Sequence, residues 1–364
     1  MTARPAAMDL TGASDPVALL DETLLRSGGV IRVSGQDGPD TIYFHPTTER
    51  LRIFHRAERA ESLQNHNTPA AEELFAGTVF TLTGDLHRRR RQTLIRSFGQ
   101  HGTWRDDVDA AVADWIGAAC ARGIVDLLDE TRRLAHAIFA RVMFGIAPES
   151  SCGQAVAGFA AQFVAGAVTA ATPKPDRVVL QQALSARDEL GRIFTHIQAG
   201  PGEAQPTARV DARDLGAVLI ASIETTANLV GWAIVRWLRI EPSDRGDPDA
   251  FAHQVEILDS PNTLITREVV GSFWFEGEQL EPGTLVSYSP ASAAGDDLTF
   301  GSGVRACPGK ALAQYTVRRT LTELATSSWS LVADGVPHPR SWMPTRTFGC
   351  GTLVRTASGE PECR

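Results

Sequence analysis

Apolar and polar positions change their period several times along this chain. Between residues 29 and 56, short apolar runs (GVIRVSG, TIYFH, LRIFH) alternate with polar residues, the pattern of small half-buried strands. From about Asp106 to Phe144 the spacing turns helical, through Val108, Ala111, Val112, Trp115 and Ile116, then Leu134, Ala137, Ile138 and Val142. Residues 176–198 read as a further amphipathic helix, opened by the breakers in TPKPD, and GPGEAQPTAR at 200–209 reads as a loop. The longest helical pattern starts near Asp211. Its apolar positions Leu215, Val218, Leu219, Ile223, Leu229, Val230, Ala233, Ile234 and Trp237 cover most of the circumference, which predicts a buried helix. It stops before Pro242, giving roughly 45 Å at 1.5 Å per residue. After Pro261 come strand-like pieces (TLITREVV, SFWFEGEQLEPGTLVSY), a glycine-rich loop at 295–309 and a helix from Pro308 to about Thr326. In the tail, WSLVADG and GTLVRT read as strands. The pattern predicts a mainly α fold with small β-sheets and no regular βαβ alternation.

Composition narrows the function classes. The 364 residues carry 35 Lys+Arg against 43 Asp+Glu, a formal net charge of -8, which argues against a general nucleic-acid binder. No run of 18 apolar residues occurs, so no membrane-spanning helix is expected. MTARPAAMDLTGASDP lacks the apolar core of a secretory signal. The 5 cysteines are scattered without a CxxC, which excludes a disulfide framework and a structural zinc site. A reduced, cytoplasmic protein is expected.

The sharpest local signal is TFGSGVRACPGKALAQ. Cys307 lies one residue before a proline able to occupy the first turn of a helix, where free N–H groups and the helix dipole favour a thiolate. Gly301, Gly303 and Gly309 permit positive φ and close approach of a flat ligand, and Phe300 is placed to cover the sulfur. The plain alternative is a structural cysteine in a turn. The loop fits F-x-x-G-x-x-x-C-x-G, and on these residues the chain resembles the cytochromes P-450, specifically their soluble bacterial members. The resemblance implies a cytochrome P-450-like fold and heme b bound through Cys307, with Phe300, Gly303, Arg305 and Gly309 around it. A thiolate ligand of this kind pushes electron density onto iron.

Other segments agree in order. ASIETTANLVGW on the long helix is similar to the family's distal helix, which gives Glu224 and Thr225 the acid–alcohol roles in proton delivery; Ser222 stands where glycine is usual. A mid-helix threonine also bonds back to the i−4 carbonyl for purely structural reasons. GDLHRRRRQTLIRSF resembles the C-helix, with His87 and Arg91 four apart on one face and implied to hold the heme propionates; Arg88, Arg89 and Arg90 read as a solvated basic face. Arg267 and Arg305 match the remaining propionate arginines, whose planar charged forks suit carboxylates. WMPTRTFGCGTLVR resembles the family's C-terminal hairpin, so the likeness runs from about residue 30 to the end, as a single domain spanning 1–364.

The chain also departs from the family. The E-x-x-R of the K-helix is here Glu256, Ile257, Leu258, Asp259, which places two like charges on one helical face. Most of the meander before the cysteine loop is missing, so this resembles a truncated member. Three functions follow: a monooxygenase acting on a small natural-product intermediate, served by a ferredoxin and its reductase; a heme-thiolate enzyme of non-oxygenase chemistry (rearrangement, dehydration, ring closure or peroxide-driven oxidation); or a heme-free partner of another biosynthetic enzyme. Arg88 to Arg91, Lys310, Arg318 and Arg319 would form the dock for an acidic ferredoxin. Elsewhere, Cys120, Trp232 and Trp237 read as core, His45, His55, His66 and His253 as surface or turn histidines, and Phe75, Phe80 and Phe163 as walls of an apolar pocket. Cys152, Cys350 and Cys363 carry no motif.

Overall fold

The structure is a computed structural model that describes residues 16–34, 38–99, 104–172, 174–200, 207–292, 298–326, 329–332 and 352–355. In chain order these form α1 (Pro16–Arg26), β1 (Val30–Val33), β2 (Thr41–Phe44), α2 (Thr48–Arg59), β3 (Leu63–Asn65), α3 (Pro69–Leu74), α4 (Gly84–Gly99), α5 (Trp104–Arg122), β4 (Ile124–Asp126) and α6 (Leu127–Phe144). Then follow α7 (Ser151–Ala170), α8 (Arg177–Gln198), α9 (Ala212–Arg239), α10 (Pro248–Leu258), β5 (Ile265–Val269), β6 (Phe273–Phe275), β7 (Glu278–Leu280), β8 (Leu285–Tyr288), α11 (Lys310–Ala325), β9 (Trp329–Val332) and β10 (Thr352–Arg355). The fold is mainly α with small sheets, as the pattern predicts. The described residues fall into two compact units, one within 16–67 and 256–307, the other within 68–255, 308–332 and 352–355.

The first unit is built on a five-stranded sheet of order β1-β2-β8-β5-β3, in which only β2 and β8 run parallel. α2 covers it. Thr47 caps α2 by accepting the Arg50 N–H at 3.3 Å. Its buried positions are Leu51, Phe54, Ala57 and Glu58. Phe54 meets Phe44 at 5.7 Å and Tyr288 at 5.5 Å between ring centroids, and Phe44 meets Phe275 at 5.2 Å. These tilted and edge-on contacts are the geometry aromatic quadrupoles prefer. One carboxylate, Glu58, is thus carried by the helix into an otherwise apolar core.

In the second unit α9 is the central element, with α6, α7, α8 and α11 packed around it. Asp211 caps it by accepting the Arg213 N–H at 2.9 Å. Its apolar circumference is buried, Trp232 and Trp237 included. One turn in, buried Asp214 accepts the Val79 N–H at 2.8 Å and Arg90 Nε at 2.7 Å, and Arg90 also donates to the Gly77 carbonyl at 2.8 Å. Arg90 is therefore a structural tie between α4 and α9, not part of a solvated face. Burial pushes the Asp214 carboxyl up against the pull of these donors. The two tail segments do pair: β10 lies between β4 and β9, antiparallel to both.

Three expectations about elements change. The helical stretch 106–144 divides into α5 and α6, because Gly123 turns the chain at φ +72° and Asp126 then caps α6 by accepting the Asp129 N–H at 2.9 Å. α7, which the pattern does not separate from a loop, is a 20-residue helix of mostly small residues. Its composition is explained by close packing: a Cβ at Gly166 would stand 2.0 Å from the Cβ of Ala183 on α8. Finally, α7 and α9 are long and apolar enough to cross a bilayer by length and composition, against the expectation of none, although core helices pass the same test. The resembling hairpin segment lies outside the described residues apart from β10, and so do Cys350 and Cys363.

The α7–α8 contact predicts opposite effects for one substitution at two glycines. Gly166→Ala should lower the urea midpoint sharply, since the helices must separate to admit a methyl group. Gly158→Ala has nothing within 4 Å and should raise stability, by about 0.5–1 kcal/mol of helix propensity. Equal responses in chemical denaturation would refute the close packing.

Candidate active site

The cysteine loop belongs to the first unit. Gly301 and Gly303 take φ +63° and +69°, the left-handed conformation that favours glycine, and residues 303–305 form a 3-10 turn. The loop closes on itself: the Cys307 N–H donates to the Phe300 carbonyl at 2.7 Å, and the Gly301 N–H to the Leu298 carbonyl at 2.8 Å. Cys307 is exposed, and Arg305 is half-buried. Two details differ from expectation. Gly309 has φ -91°, so it serves as the N-cap of α11 and not as a positive-φ residue. Cys307 consequently precedes the first helical residue, Lys310, by two turn residues rather than sitting in the first helical turn.

Behind the loop lies a chain of hydrogen bonds not anticipated from the motifs. His55 on α2 places Nε2 2.8 Å from Ser302 Oγ and Nδ1 3.0 Å from Glu58 Oε2. Arg267 Nε then donates to Glu58 Oε1 at 2.7 Å, and its Nη1 to the Thr266 carbonyl at 3.0 Å. Ser302 also hydrogen-bonds the buried Tyr288 hydroxyl. Burial pushes Tyr288 up to about 12, so it stays a neutral donor and acceptor at any ordinary pH. His55 is thus not a surface histidine: its side chain is 13% exposed and that of Glu58 is 1%. Burial acts to raise the Glu58 carboxyl, yet the His55 hydrogen bond and the Arg267 charge outweigh it and hold Glu58 below the usual glutamate value. A visible signal existed. Glu58 stands at the helical period of Leu51 and Phe54, where a charge in an apolar stripe marks a buried, partnered group.

The other carboxylates of this unit also depart from expectation. α10 ends at Leu258, so Asp259 lies in the following turn and does not share a helical face with Glu256. Both are buried, Asp259 at 0% exposure, and the Glu256 carbonyl accepts the Thr299 hydroxyl.

The second unit carries the remaining expected site residues. His87 is buried and Arg91 half-buried, one turn apart on α4. On α9, Glu224 is clamped by Arg132 of α6, with Nε to Oε1 at 2.8 Å and Nη2 to Oε2 at 3.0 Å. The Thr225 hydroxyl donates to the Ala221 carbonyl at 2.5 Å. One turn on, Asn228 donates to the Glu224 carbonyl at 2.7 Å, while its buried Oδ1 has no hydrogen-bond partner among the described residues. Phe75 does meet Phe80 at 5.7 Å and Phe163 at 5.5 Å between ring centroids. Of the basic residues expected to dock a partner, Arg319 is tied to Asp109 at 3.0 Å and to Glu323, and Arg88 pairs with Asp85.

Comparison with solved structures decides the fold. An intact type IV self-sufficient cytochrome P450 monooxygenase superposes with a TM-score of 0.78 over 99% of this chain and 54% of its own, at 19% sequence identity. This chain has the cytochrome P-450 fold. Two further P-450 structures agree. PksS, of the bacillaene polyketide synthase of Bacillus subtilis 168, gives a TM-score of 0.76 over 96% of this chain and 100% of its own at 13% identity. OxyD, involved in the biosynthesis of vancomycin-type antibiotics, gives 0.73 over 96% and 98% at 16% identity. No protein-family model matches the sequence, and no curated protein does.

The residues present suit the group this P-450 fold is built to carry. An exposed thiol on a glycine-bent loop is a soft donor of the kind iron accepts. Arg267 retains an Nη2 with no hydrogen bond among the described residues, available to a carboxylate.

The buried Glu58 has a pH consequence. Its carboxyl is depressed in the folded chain, so its stabilising contribution is present above the unfolded value of about 4.3 and is lost as pH falls through the lower folded value. Glu58→Gln should therefore destabilise the protein at pH 7, by about 3 kcal/mol, because Arg267 is left unneutralised. The gap between wild type and variant should close as pH drops below about 4. Thermal melts at pH 7, 5, 4 and 3 check this; a gap constant with pH would show that Glu58 is not an ionised partner.

Proposed function

We propose that the protein is a heme-thiolate oxidoreductase, and most simply a monooxygenase that tailors a small natural-product intermediate. The observation that carries this reading is the cysteine loop: a P-450 fold in which F-x-x-G-x-x-x-C-x-G forms a closed, glycine-bent turn with its thiol exposed. In this reading Cys307 ligates the iron of heme b, supported by Phe300, Gly303 and Gly309. His87, Arg91, Arg267 and Arg305 hold the heme carboxylates. Thiolate-ligated heme supplies activation of dioxygen.

The chain's own part lies in proton supply. Glu224 sits in a bidentate ion pair with Arg132, which fixes its orientation. The Arg132 side chain is 39% exposed, so the pair lies within reach of solvent. Thr225 Oγ1 has its hydrogen committed to Ala221, which leaves its lone pairs to accept a hydrogen bond. The orphaned Asn228 Oδ1 on the same helix offers a further acceptor for water. Electrons would come from a ferredoxin and its reductase in the cytoplasm. Natural-product chemistry is favoured by the neighbours PksS and OxyD, which belong to a polyketide synthase and to antibiotic biosynthesis. The departure of Asp259 from the family's E-x-x-R pattern favours a second reading, non-oxygenase chemistry on the same heme.

The first test is the absorption spectrum of the purified protein, ferric and then reduced under CO. A red-shifted thiolate Soret band is expected, and Cys307→Ala should remove it. A folded, iron-replete protein without heme would overturn the proposal. Thr225→Ala should leave the spectrum intact and raise the electrons consumed per product formed; unchanged coupling would favour the non-oxygenase reading.

A further inference from the structure

The cysteine loop closes on itself through the Cys307 N–H and the Phe300 carbonyl, and α2 packs against its 3-10 turn. Two independent contacts converge on one side chain. Ser302, between the two left-handed glycines, lies 2.8 Å from His55 Nε2. Gly303 lies flat on the same imidazole, so closely that a Cβ there would come within 2.4 Å of Nδ1.

We infer that His55, fixed by Glu58 and bonded to Ser302, is a residue that positions the Cys307 loop. The hydrogen bonds run in one consistent direction. His55 Nδ1–H donates to the Glu58 carboxylate, which leaves Nε2 to accept the Ser302 hydroxyl. On the far side Arg267 closes the line onto Glu58. The ring cannot rotate freely, because Phe54 packs edge-on against it at 5.7 Å. Such a fully satisfied buried network fixes one arrangement and penalises every other. It also joins Arg267 to the loop that carries Cys307, so the two groups proposed to touch the heme share one support.

The role as support of a metal ligand rests on the proposed function; the holding of the loop does not. The test therefore has one readout without heme and one with it. Hydrogen exchange by mass spectrometry on the full-length, heme-free chain reads the closure of residues 298–307, where the Cys307 amide bonds Phe300. Ser302→Ala and His55→Ala should each speed exchange in that peptide about tenfold, while β5 and β8 stay protected. His55→Gln, whose amide still offers Ser302 an acceptor, should recover most of the protection. In the heme-loaded protein the same two alanine variants should convert part of the thiolate-type CO band into the band of a neutral thiol. Unchanged loop exchange in Ser302→Ala, the variant least able to perturb folding, would overturn the inference. Exchange that depends on His55 in a wild-type protein with no thiolate band would uphold the positioning role and refute the heme reading. A full thiolate band in every variant, with loop exchange unaltered, would do the reverse.

Discussion

A carboxylate buried at 1% exposure sets the terms for the first unit. Glu58 is placed by helical periodicity among aromatic rings, where an unpaired charge would cost several kcal/mol. It persists because a histidine from its own helix and an arginine from β5 satisfy its two oxygens separately. Both partners are thereby committed in orientation. The imidazole can offer only its second nitrogen to the cysteine loop, and the guanidinium only its remaining fork. What would be a liability in a hydrophobic core becomes the means by which the cysteine loop, α2 and β5 are held in fixed register.

The largest features were legible from pattern alone. α9 declared itself through apolar residues on nearly every side, and the glycine spacing before Cys307 corresponds to the two left-handed residues that bend the loop. The terminal strand pieces were visible too. What escaped was decided by tertiary contacts. α7 is made of alanine and glycine, which carry little hydrophobic contrast, and its existence depends on how close α8 comes. The division between α5 and α6 turns on one glycine conformation. Arg90 sits in a run of four arginines that looks like solvated surface, and only the fold reveals that one of them faces a buried aspartate.

The site residues show the same division. The family resemblance singles out Cys307, Glu224, Thr225, His87 and Arg91 as candidates. It does not show that Glu224 is held by Arg132 from another helix, or that Asp259 falls past the end of α10 into a buried turn. His55 was the clearest miss. A lone histidine in a basic stretch carries no motif, and its role depends on Ser302, 247 positions further along the chain.

The seam between α7 and α8 bears on how the second unit can move. With Gly166 and Ala183 in near backbone contact, the two helices have no layer of flexible side chains on which to slide. Displacement has to carry both as one rigid paddle, with bending at the left-handed Gly145 that closes α6. A paddle of this kind shifts a broad surface all at once. Its opening would be felt as a single cooperative event, not as the independent fraying of two helices.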